Sequence, residues 1–138
     1  MTEIETLLRM LDLKEETRTG WDLRGVTDPE SVADHSWGTA LLCLLFGDEE
    51  GVDVDRCVRM ALLHDLAEAE TGDLPLRAPA EKEKQEWDSG EKTEQERAVM
   101  ERFADGLDAA AVQDLWKEYE DQRSSESRFV KDMDMVEM

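Results

Sequence analysis

An all-α bundle of about five to six helices is what this chain predicts, on three grounds. Apolar residues recur at helical spacing through most of its length. No stretch alternates polar and apolar residues as a half-buried strand does, and there is no internal repeat. The 138 residues suffice for one core and are too few for two, so residues 1–138 read as a single domain.

Each element has its own signal. Ile4, Leu7, Leu8 and Leu11 recur at helical spacing and predict the first helix, which the polar run Thr17-Arg18-Thr19-Gly20 ends. Asp28-Pro29-Glu30-Ser31 opens a second helix: Asp28 suits the cap, Pro29 the first turn, and Ser31 is an alternative cap. That helix runs to about Phe46, and Gly47 to Asp53 reads as a turn. The third spans about Val54 to Glu68, apolar through Met60-Ala61-Leu62-Leu63, and Thr71-Gly72-Asp73-Leu74-Pro75 breaks it. Residues 76–95 are charged and poor in apolar anchors, as in a solvated loop or a loosely held helix. Further helices are expected from about Glu91 to Phe103, from Ala109 to Tyr119, and from near Ser127 onward. In the last, Val130, Met133 and Val136 carry an amphipathic pattern up to Met138 without a stop signal, so this C-terminal helix reads as truncated.

Hydrophobic residues make up 40% of the chain, which excludes a disordered acidic tail despite 38% charged residues. The longest apolar run, Ala40 to Phe46, suits a buried helix and is too short for a membrane span. Met1 to Glu5 has no basic region and no signal-peptide core, which makes the cytoplasm the default location. Cys43 and Cys57 each sit in an apolar helical pattern and read as buried free thiols. With 36 acidic residues against 16 basic ones, the net charge is −20. Such a surface repels nucleic-acid polymers and anionic membranes, and also a phosphate substrate unless salt or a local basic patch intervenes. The acidic excess fits a protein adapted to high salt, where the Debye length falls to about 3 Å.

The chemistry-bearing residues are few. His35 follows Asp34 inside the second helix; His64 precedes Asp65 near the end of the third; the chain has 2 histidines in all. An imidazole beside a carboxylate at a helix end makes a good ligand pair for a borderline divalent ion. Glu68, one turn beyond His64 on the expected helix, would lie within reach of a water beside such an ion, where a general base is needed. Spacing alone favours a hydrogen-bonded core histidine over a ligand for His35, and leaves both open.

Larger motifs carry more. Arg18-Thr-Gly-Trp21, Leu23-Arg-Gly-Val26 and Pro29-Glu-Ser-Val-Ala-Asp-His-Ser36 resemble the N-terminal signature of the HD-domain 5′-deoxynucleotidases. Met60-Ala-Leu-Leu-His-Asp-Leu-Ala-Glu-Ala69 with Thr71-Gly-Asp73 is similar to their second signature. Trp116-Lys-Glu-Tyr-Glu120, with Phe129-Val-Lys131 through Asp134 to Glu137-Met138, resembles their C-terminal one. The likeness runs from about residue 4 to 138, apart from residues 76–90.

The resemblance implies an HD-domain helical bundle and one divalent ion (Co, Mn, Mg, Fe or Zn) held by His35, His64, Asp65 and Asp134. Asp132 is a rival to Asp134 by spacing alone. It implies Glu68 as the catalytic carboxylate. Arg18 would grip phosphate oxygens, Trp21 would wall the sugar or base, and Asp73 would accept from the 3′-hydroxyl; Arg24 and Lys92 are further candidates. The implied reaction is metal-dependent hydrolysis of the 5′-phosphate of small deoxynucleoside monophosphates, by a homodimer. Two alternatives stand beside it: an HD phosphohydrolase acting on another small phosphate ester or a nucleoside triphosphate, and a non-catalytic nucleotide-binding protein. HD proteins with two metals need further histidines, which this chain lacks. The remaining Trp37, Trp87 and Trp116 read as packing residues.

Overall fold

The computed structural model describes residues 2–17, 30–71, 89–107 and 109–137. These form α1 (Glu3–Leu11), a 3₁₀ turn (Asp12–Lys14), α2 (Val32–Glu50), α3 (Val54–Leu63), the one-turn α4 (Glu68–Thr71), α5 (Ser89–Leu107), α6 (Ala110–Asp121) and α7 (Ser125–Glu137). Six of the described helices have nine residues or more. The expected all-α bundle is what forms; among the described residues the one β feature is an isolated bridge between Thr17 and Ser31.

The hub is α2, packed against α3 and α7, with α6 laid across α3 and α7 and paired with α5. Of the two cap candidates for α2, Ser31 takes the position. Its Oγ accepts from the Asp34 backbone N–H, and the Asp34 carboxylate accepts from the Ser31 N–H, both at 3.0 Å. Two otherwise orphaned donors are thereby satisfied reciprocally. Asp28 and Pro29 lie outside the described residues.

Two boundaries differ from expectation for identifiable reasons. The helix α2 runs through Gly47 to Glu50 and is closed by Gly51 in the left-handed conformation, φ 72°. Gly47 is a packing glycine, because a Cβ there would stand 2.9 Å from Val54 Cγ2. Gly51 is the stop. In turn, α3 ends at Leu63, five residues before the expected end. There the His64 ring nitrogen Nδ1 lies 2.5 Å from the Ala61 carbonyl. That carbonyl is the acceptor an uninterrupted helix would offer to the Asp65 N–H. Residues 63–70 tighten instead into three-residue hydrogen bonds, from Leu66 N–H to Leu63 and from Glu68 N–H to Asp65.

Two apolar clusters form the core. One joins Cys43, Cys57, Met60, Tyr119, Phe129 and Val130; the other joins Leu63, Ala67, Val99, Met100, Phe103 and Trp116. Both thiols are buried and free, and burial pushes Cys43 up to about 11 and Cys57 up to about 12. Trp116 is fully buried, as a packing residue should be, but Trp37, expected to pack, is 64% exposed on α2, and Trp87 lies outside the described residues. The first helix forms where expected, yet its stripe of Ile4, Leu7, Leu8 and Leu11 is exposed, and Thr6 is the residue it buries. Thr6 fits against Gly106 of α5, whose missing side chain lets the helices approach. The C-terminal stripe splits similarly: Val130 is buried and Met133 packs on the core, whereas Val136 is 65% exposed. No described helix is long and apolar enough to cross a membrane.

Candidate metal centre

Three elements meet at one point. The Ser31–Asp34 cap fixes the first turn of α2, and His35, the next residue, enters fully buried. The turn that ends α3 presents His64 and Asp65. The buried side of α7 supplies Asp134, while Asp132 is exposed. One donor atom from each of His35, His64, Asp65 and Asp134 lies within 4.8 Å of the others.

The contacts inside the cluster are close. Asp134 Oδ1 lies 2.5 Å from His35 Nε2 and 3.1 Å from His64 Nε2. Asp65 Oδ2 is 3.1 Å from the same His64 nitrogen. On their far sides, His64 Nδ1–H donates to the Ala61 carbonyl at 2.5 Å, and His35 Nδ1–H donates to Glu137 Oε1 at 2.6 Å. The rings stand 5.7 Å apart at 60°. With Nδ1 protonated in both rings, each Nε2 points a lone pair at carboxylate oxygen. That juxtaposition holds only with positive charge between the groups, whether protons or a cation.

The electrostatics agree. Burial alone would lower His64, but Asp65 and Asp134 outweigh it and hold the imidazole well above its usual value. Burial alone would raise Asp134, but hydrogen bonds from His35 and His64 hold it well below the carboxylate range. Asp65 is lowered as well, burial being overcome by His64. Two neutral imidazoles and two carboxylates would balance a divalent ion in formal charge, and N/O donors suit several first-row ions equally. The residues present therefore fit the implied metal.

Glu68 opens α4 and is buried, although it is no longer on the same helix as His64. Lys92 Nζ from α5 lies 3.9 Å from Glu68 Oε1 and 3.6 Å from Glu96 Oε1. Two neighbours were invisible as such in the sequence. Burial pushes Glu96 up to about 7, opposed by Lys92 and aided by Glu120 and Asp65. Burial also raises Glu120, with Asp65 next among the causes. The Tyr119 ring stands edge-on to His64 at 5.1 Å. Tyr119 and Glu120 fall in the Trp116–Glu120 motif, the one sequence signal that points at this wall. Arg18, Trp21, Arg24 and Asp73 lie outside the described residues.

Comparison with known proteins gives consistent results. The HD-domain family profile matches residues 10–138. The 5′-deoxynucleotidase HDDC2 of Xenopus laevis is 43% identical over 129 residues, covering 91% of this chain and 60% of the relative. The human 5′-deoxynucleotidase HDDC2 is 40% identical, covering 91% and 59%. The 5′-deoxynucleotidase hdd1 of Schizosaccharomyces pombe is 34% identical, covering 91% and 63%. The chain thus spans about 60% of the length of these curated relatives. Among solved structures, a conserved hypothetical protein from Pyrococcus furiosus superposes with a TM-score of 0.79 at 34% identity, covering 98% of this chain and 74% of that one. A protein from Magnetospirillum magnetotacticum described as a predicted metal-dependent phosphohydrolase gives a TM-score of 0.74 at 29% identity, covering 96% and 65%.

Proposed function

The chain belongs to the HD-domain family, and from that premise we propose that it removes the 5′-phosphate from deoxynucleoside monophosphates, with one divalent ion held by His35, His64, Asp65 and Asp134. The observation that carries this reading is the convergence of both Nε2 atoms and two carboxylates, with Glu68 buried at the start of the next short helix. The similarity to three 5′-deoxynucleotidases supports the substrate class.

When bound, the ion supplies Lewis-acid polarisation of the phosphoryl group and lowers the pKa of the attacking water. The chain's own residues do the rest. Glu68 takes the proton from the water as its oxygen bonds to phosphorus, and the P–O5′ bond breaks to release phosphate and the nucleoside, whose 5′-oxygen regains a proton. Lys92 holds Glu68 in place and offsets the crowding of Glu68 and Glu96. Arg18 grips phosphate oxygens bidentately, Trp21 walls the sugar and Asp73 accepts from the 3′-hydroxyl.

The test is phosphate release from a panel of deoxy- and ribonucleoside monophosphates with added Co²⁺, Mn²⁺, Mg²⁺ or Zn²⁺. Release from the deoxynucleotides is expected, and it should rise as salt is increased from 0.1 to 1 M. The net charge of −20 repels a phosphate substrate, and the Debye length falls from about 10 Å to about 3 Å over that range. A folded protein that releases phosphate from none of them ends the proposal. Rates that fall steadily with salt end the salt-adapted part of it.

The same reading takes the protein to be cytoplasmic and a homodimer. Trp37, Leu41, Leu44 and Leu45 line an outward face of α2, and Met135 and Val136 extend the exposed apolar surface on α7. Apolar surface of this kind is what subunit interfaces cover. Light scattering should give twice the 15.8 kDa of one chain; a mass of 15.8 kDa across the micromolar range would exclude the dimer.

A further inference from the structure

The geometry points to Glu137 as the residue that sets the tautomer and basicity of His35, with Gly38 keeping the space for it. This rests on the metal reading above and extends it to residues outside the ligand set.

Two one-turn ladders face each other. His35 and Gly38 lie one turn apart on α2; Asp134 and Glu137 lie one turn apart on the α7 face packed against it. His35 is fully buried between the two carboxylates, with Nε2 2.5 Å from Asp134 and Nδ1 2.6 Å from Glu137. An imidazole in such a place has one useful form. Nδ1 keeps its proton and donates it to Glu137, and Nε2 turns its lone pair toward the cluster. Take away the acceptor and the proton can settle on Nε2, which then presents N–H where a cation must sit. The other imidazole meets the same requirement with a different partner, the neutral carbonyl of Ala61. A carboxylate pulls harder on the Nδ1 proton than a carbonyl does, so His35 becomes the more electron-rich donor of the two.

Gly38 supports the assignment independently. Glycine inside a long helix is unfavourable relative to alanine. A Cβ at position 38 would stand 2.6 Å from Glu137 Oε2, 2.8 Å from its Cγ and 3.0 Å from its Cδ. The glycine is the clearance through which the carboxylate reaches His35.

Cobalt is the probe. The 138-residue chain is stripped of metal and titrated with Co²⁺ against a competing chelator, with the visible cobalt spectrum recorded, for wild type, E137Q, E137A, G38A and G38A/E137A. Wild type should bind one equivalent. E137A and G38A should each weaken binding about 10- to 100-fold and shift the spectrum. E137Q, which keeps an acceptor without the charge, should fall between wild type and E137A. The double variant should bind no worse than E137A, because alanine at 137 leaves room for the Cβ. Affinity and spectrum unchanged in E137A and E137Q would overturn the assignment, as would losses that simply add in the double variant. Two equivalents in wild type, the second lost in E137A, would overturn it in favour of a separate cation site at Glu30, His35 and Glu137, whose donor atoms also cluster. Wild type that takes up no cobalt would remove the metal reading itself.

Discussion

Replacing Asp134 with alanine is expected to abolish phosphate release and to weaken cobalt binding by more than the ~10–100-fold that loss of an outer partner costs. No other described carboxylate oxygen is shared by both imidazoles, at 2.5 Å and 3.1 Å. Its loss would remove one of the four proposed ligands and also the charge that faces both Nε2 atoms. The wild-type affinity should itself depend on pH. His64 holds a proton well above the ordinary histidine value because Asp65 and Asp134 outweigh burial, and a cation must displace that proton. Affinity should therefore climb about tenfold per pH unit until the raised value is passed. The metal-free fold has the complementary dependence. The raised His64 stabilises it below the ordinary histidine value, and that contribution fades as pH rises through the raised one. The lowered Asp134 stabilises it above the ordinary carboxylate value, and that contribution fades as pH falls toward the lowered one. In D134A both contributions shrink. Chelator competition across pH and acid unfolding of the stripped protein measure these effects. D134A that binds cobalt as wild type does would remove Asp134 from the site.

Glu68→Gln is the second large effect, and it should separate chemistry from binding. The substitution keeps the shape and removes the base, so the turnover rate should drop about 10²- to 10⁴-fold. Glu68 is not among the four residues whose donor atoms cluster, so cobalt affinity at that cluster should change only slightly. Steady-state rates paired with the same cobalt titration make the comparison. A rate near wild type would strip Glu68 of its role. A parallel loss of tight cobalt binding would make it a ligand instead.

The helical class was legible because periodicity reports which side of a segment is apolar; the pattern is strong in α1 and α3 and nearly absent from α2, which was legible instead by its long apolar run. Helix ends were less legible. Gly47 and Gly51 look alike in a sequence, yet one is empty for the sake of Val54 and the other takes a left-handed backbone. The end of α3 was hidden because a side chain, His64, contends for a backbone acceptor. Periodicity also misjudged α1, where leucines face outward and a threonine packs against a glycine 100 residues later in the fold's layout.

Within the site, His35, His64 and Asp65 announced themselves by rarity and by motif. Asp132 and Asp134 could not be parted by spacing, but helix geometry parts them: 132 faces outward, and 134 faces the imidazoles. Glu137 fell within the C-terminal motif, but nothing local paired it with His35, 102 residues away. Glu96 and Glu120 approach the site only through the pairing of α5 with α6.

Asp134 meets His35 across 99 residues of chain and His64 across 70. A cation at that junction would act as a removable rivet between the first long helix and the last. Cross-links that close long loops constrain the unfolded chain most. A ligand that binds only the folded form adds about 2.7 kcal/mol when present at a hundred times its dissociation constant. With an ion so held, the melting temperature would rise with free metal, and scarcity of the ion would weaken the fold itself as well as leave the site empty.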